Sequence, residues 1–79
     1  MADDGQQAAA LIEFIAKSIV NQADDVRVIA KDGGRLLELE TASEDRGRVI
    51  GRQGRVAKAM RALLVASGPG ADSRLEIVD

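Results

Sequence analysis

A helical pattern opens after Ser43, is cut at Gly51 and resumes at Gly54, over Ser43-Glu44-Asp45-Arg46-Gly47-Arg48-Val49-Ile50-Gly51-Arg52-Gln53-Gly54-Arg55-Val56. Two glycines three residues apart, with helix-compatible sequence on both sides, break what would otherwise be one helix. The chain must instead place a short helix and a longer one on either side of a tight loop. Both hinge positions of that loop carry bare backbone, which another backbone or an anion can approach closely.

The same segment separates the charge. Six of the 11 Arg and Lys residues fall between Arg46 and Arg61, and all 13 Asp and Glu residues lie outside that window. A net charge of -2 is therefore a +6 segment set in a -8 remainder. A concentrated positive surface attracts a polyanion even when the total is slightly unfavourable, and the acidic remainder confines such contacts to the basic face. Composition then removes whole classes of chemistry. With no Cys and no His, disulfides, thiolate nucleophiles, Cys/His zinc sites and histidine acid–base catalysis are excluded, and neither a metal nor another cofactor is expected. Phe14 is the only aromatic residue, so base-stacking platforms of the kind used by OB-fold and RRM proteins are excluded too. The acidic start, Met1 to Gly5, lacks the apolar run of a secretory signal. No stretch approaches the ~20 apolar residues of a membrane span. A cytoplasmic protein is expected.

Seventy-nine residues make one domain. Residues 1–5 read as a flexible leader and 6–79 as the folded unit. Ala8, Leu11, Ile12, Ile15 and Ile19 recur on one helical face, predicting a helix over 6–20. Val26 to Ala30 is too short for a helix and rich in β-branched residues, which predicts a strand. Asp32-Gly33-Gly34 then supplies a hairpin turn, and residues 35–41 form the returning strand, with Leu37 and Leu39 on one face and Glu38 and Glu40 on the other. Ser43 is the expected N-cap of the short helix, with Glu44 and Asp45 in its first turn. The second helix should run from Gly54 to about Ala66, with Val56, Ala59, Met60, Leu63 and Leu64 inward and Arg55, Lys58 and Arg61 on an exposed flank. Ser67-Gly68-Pro69-Gly70 stops it, and residues 74–78 form a last strand with Leu75 and Ile77 inward. The expected fold is α+β, in the order α-β-β-α-α-β, with a three-stranded sheet and the helices packed on one face.

Val49-Ile50-Gly51-Arg52-Gln53-Gly54, set between two helices, resembles the Ile-Gly-x-x-Gly signature of KH domains. The element order resembles the type II arrangement, and nearly the whole chain, from about Leu11 to Val78, is similar to the small bacterial stand-alone KH proteins of the KhpA family. A bare GxxG is weak. Preceded by Val-Ile, flanked by cations and framed by this element order, it is specific. The resemblance implies that about four unpaired nucleotides lie in a groove between the helix pair and a sheet edge. The RNA-binding residues expected on that likeness are Arg48, Val49, Ile50, Gly51, Arg52, Gln53, Gly54, Arg55 and Lys58, with Val49 and Ile50 on the groove floor. Arg48 and Arg61 fit a solvated face as well as they fit a phosphate contact.

No nucleophile–base pair is evident, so an enzyme is not expected. Glu38 and Glu40 lack a histidine or third ligand and read as a solvated strand face. Gly33-Gly34 lacks the Lys-Ser/Thr of a nucleotide-binding loop. The expected function is non-catalytic binding of single-stranded RNA, as an RNA chaperone or post-transcriptional regulator. The alternative is a docking module that uses the same fold to meet a protein or a ribosomal particle. A chain this short buries little more than ~60% of its unfolded surface, so a homodimer or bound partner would be a natural supplement. The family likeness implies self-association, a larger KH-containing RNA-binding partner, and RNA regulation tied to the cell envelope and cell shape.

Overall fold

The computed structural model describes residues 3–78. Helix α1 (Asp4–Ile19) begins where the Asp3 carboxylate accepts the Gln6 N–H at 2.8 Å. Ala8, Ile12 and Ala16 recur every four residues and are its buried face. The helix starts two residues before the expected Gln6, because Asp3 caps it and Gly5 packs directly on Gly34 of the hairpin turn, backbone to backbone. The expected leader therefore overlaps α1 at Asp4 and Gly5; Met1 and Ala2 lie outside the described residues.

After a 3-10 turn over Ala23–Asp25, strand β1 (Arg27–Lys31) pairs antiparallel with β2 (Leu36–Glu40), in a register that sets Lys31 opposite Leu36 and Arg27 opposite Glu40. Asp32, Gly33 and Gly34 all have positive φ in the turn between them. A 3-10 turn (Ser43–Asp45) leads into α2 (Arg46–Ile50), and beyond the glycine loop α3 (Arg55–Ala66) leads to β3 (Arg74–Ile77). Strand β3 pairs parallel with β2, so the sheet is mixed, in the order β1-β2-β3. A parallel pair needs a long crossover, and here α2, the loop and α3 form it.

The register puts Val28, Leu37, Leu39, Leu75 and Ile77 on the face that meets the helices. Ile12, Val49, Met60 and Leu64 close the core from the helical side. Helix α1 packs mainly on β1, while α2 packs on α3 and reaches β3. The outer face carries Arg27, Lys31, Glu38, Glu40, Arg74 and Glu76, with Lys31 Nζ 2.9 Å from Glu38 and Arg74 2.9 Å from Glu76.

Two local expectations are corrected. Helix α3 is rolled relative to the predicted stripe: Ala57, Met60 and Leu64 are buried, whereas Ala59 is exposed and Leu63 is 53% exposed. Val56 fills the space beside Gly51 and Arg61 faces β3, and this pairing sets the roll. Ser43 does not cap α2. The residue that matters there is Asp45, whose side chain turns into the domain.

Candidate nucleic-acid interface

Helix α2 is only five residues long and ends at Gly51, whose N–H donates to the Gly47 carbonyl at 2.8 Å. The two glycines are required for different reasons. Gly51 has φ 76°, and a Cβ there would lie 2.5 Å from Val56 Cγ2 and 2.8 Å from the Val56 nitrogen. Gly54 has φ 74° with open space around it, so its need is conformational alone. Its N–H closes the turn on the Gly51 carbonyl at 3.0 Å. At the tip, Arg52 and Gln53 are exposed, and Gln53 itself adopts a left-handed φ of 57°. The Arg55 guanidinium braces the tip through one hydrogen bond to Gln53 Oε1, at 3.3 Å.

Helix α3 then starts without a side-chain cap, because its N-cap is Gly54, and its first turn holds no acidic residue. Arg55 and Lys58 are exposed beside that end. A helix N-terminus carries partial positive charge and outward N–H groups, so cations there work against the dipole by roughly 0.3–1 kcal/mol each. Sequence and backbone thus concentrate positive potential at one corner, where an anion would relieve it.

The remaining expected residues divide by burial. Ile50 is 37% exposed beside Gly51, whereas Val49 is fully buried in the core. Of the expected apolar pair, only Ile50 can meet a ligand; Val49 holds α2 in place. Arg48 is half exposed, and its Nε lies 3.5 Å from Asp45 Oδ1, so one edge of its guanidinium is anchored. Arg61 donates from Nε to the Leu75 carbonyl at 3.2 Å.

Asp45 is the residue that sequence reasoning missed. It is 1% exposed and accepts the N–H groups of Asn21 at 3.2 Å and Gln22 at 2.9 Å. The carboxylate ties the exit of α1 to the entry of α2, and so fixes the helix that presents the loop. The only signal available beforehand was its position as the last acid before the basic run.

Comparison with known proteins is consistent along nearly the whole chain. A family model described as KhpA/KhpB, KH domain matches residues 9–77. A protein of Leifsonia xyli subsp. xyli named RNA-binding protein KhpA is 47% identical over 73 residues, which cover 90% of this chain and 96% of that relative. Proteins of the same name from Borreliella burgdorferi and Streptomyces coelicolor are 45% and 41% identical, over 87% and 86% of this chain and 89% and 87% of their own lengths. No solved structure matches the chain.

Proposed function

Because the chain belongs to the KhpA/KhpB KH-domain family, which is not a family of enzymes, we propose that it binds single-stranded RNA at the corner formed by Ile50, the Gly51–Gly54 loop and the start of α3. The observation that carries this reading is the uncapped α3 N-terminus, with Arg52, Arg55 and Lys58 gathered around it and no acidic residue in its first turn. Arg52, Gln53 and the loop backbone take phosphate and sugar oxygens, Gly51 and Gly54 let the nucleotide backbone lie close, and Ile50 offers an apolar surface beneath the bases. Arg55 and Lys58 extend the positive rail, and Arg48 contributes charge from its anchored position on Asp45. Val49 acts through the core.

With three or four phosphates engaged, the slope of log affinity against log salt should be about -2 to -3. Fluorescence anisotropy of a short labelled unstructured RNA across a salt series measures it. A slope near zero, or no binding at low salt, contradicts the reading.

Affinity from one such corner is modest, because few contacts remain after ordering costs. The protein therefore acts in the cytoplasm through a second copy or a larger KH-containing RNA-binding protein, which supplies effective concentration. In that form it serves as an RNA chaperone or regulator, with cell shape among the processes affected. The exposure of Phe14 (72%), Leu63 (53%) and Val65 (58%) favours protein contact as a second role.

A further inference from the structure

Arg61 lies outside the residues assigned so far, and its position is unusual for a surface cation. Arg74 and Val78 send their N–H groups to the Arg35 and Leu39 carbonyls on the β2 side. In a parallel ladder the intervening Leu75 must then turn its N–H and C=O outward. With β2 on its other side, β3 is an edge strand, so the Leu75 carbonyl held by Arg61 Nε is on the open edge. Seven residues beyond Gly54, Arg61 is about 10 Å along the helix axis from the loop. Among the described residues no carboxylate forms an ion pair with it. The guanidinium is thus oriented by a neutral carbonyl rather than a carboxylate, and retains the donors on both Nη atoms in a planar fork.

We propose that Arg61 reads a base of the bound RNA, selecting an edge that presents two adjacent acceptors. Those edges are O2/N3 of cytosine and O6/N7 of guanine; adenine and uracil place a donor beside each acceptor on the corresponding edges. The inference rests on the RNA-binding reading above and adds to it that nucleotides leaving the loop run along the β3 edge. A purely structural role, clipping α3 to an open strand edge, makes a different prediction, since loss of the clip would weaken every RNA alike.

The test measures binding of short oligouridines carrying a single central C, G or A, against unsubstituted oligouridine. Wild type should favour the C- or G-containing RNA by about tenfold, and the better of the two names the base. Arg61→Lys keeps the charge but not the fork; it should bind plain oligouridine within about threefold of wild type and lose most of the C or G preference. Arg61→Met keeps the stem packing and should lose the preference as well, with melting temperatures confirming that both variants fold. An unchanged preference in Arg61→Lys, a uniform loss across all RNAs, or a wild type without preference overturns the assignment of Arg61 and leaves RNA binding standing. If wild type binds none of the RNAs at low salt, the RNA-binding reading fails first and the assignment with it.

Discussion

Replacing Asp45 by Ala should lower the melting temperature by about 10–25 °C, the largest stability effect expected of any polar substitution in the domain. The carboxylate is buried and accepts two backbone N–H groups, from Asn21 and Gln22, besides facing the Arg48 guanidinium. Removing it takes the acceptor from two partly buried N–H groups, at a cost of about 1–2 kcal/mol each, towards the low end for such donors because Asn21 is exposed. The Arg48 pairing adds less, because that side chain is half exposed. A combined loss of about 2–4 kcal/mol is a large share of the ~4–12 kcal/mol available to a chain of this length. Asp45→Asn keeps one acceptor oxygen and should fall between Ala and wild type. Circular dichroism melts of the three proteins measure the series, and a change of only a few degrees in Asp45→Ala would show that water replaces the carboxylate.

The second large effect is on binding. Changing Arg52 and Gln53 together to Asp moves the loop tip by three charge units and puts two carboxylates where phosphates are expected. Loss of charge-assisted contacts worth about 1.5–3 kcal/mol each, with repulsion added, should weaken RNA binding about 100-fold or more. Stability should move the other way or not at all. Both side chains are exposed, Asp tolerates the left-handed backbone at position 53 better than Gln, and acids near the start of α3 favour its dipole. A protein that melts at or above the wild-type temperature while losing RNA separates the loop's role from that of the core. Retained affinity with an unchanged salt slope would place the RNA elsewhere.

What could be read from the sequence was what depends on local periodicity and backbone chemistry. The four-residue recurrence of Ala8, Ile12 and Ala16, the alternation of Leu37 and Leu39 with Glu38 and Glu40, and the Gly51–Gly54 break all express physics within one element. The misses are tertiary. Leu63 and Leu64 are neighbours of equal hydrophobicity, and only the packing of Val56 beside Gly51 and of Arg61 on β3 decides which one faces inward. Asp45 looked like an acid serving a helix dipole because its true partners lie 23 and 24 residues away. Long side chains such as Arg48 and Arg61 can be placed on a face by spacing, but their acceptors belong to other elements. Val49 and Ile50 are adjacent apolar residues, and the helix turn between them separates a core residue from a surface one. The parallel return of β3 likewise depends on the crossover as a whole.

The central claim is that RNA lies against the loop and the start of α3, and amide chemical-shift mapping tests it most directly. Titrating a short unstructured RNA into nitrogen-15-labelled protein should move the backbone amides of Gly51 through Lys58 most. The outer sheet face at Glu38, Glu40 and Glu76 should stay in place. Largest shifts on that outer sheet face or on the exposed side of α1 around Phe14, with the loop amides unmoved, would contradict the account.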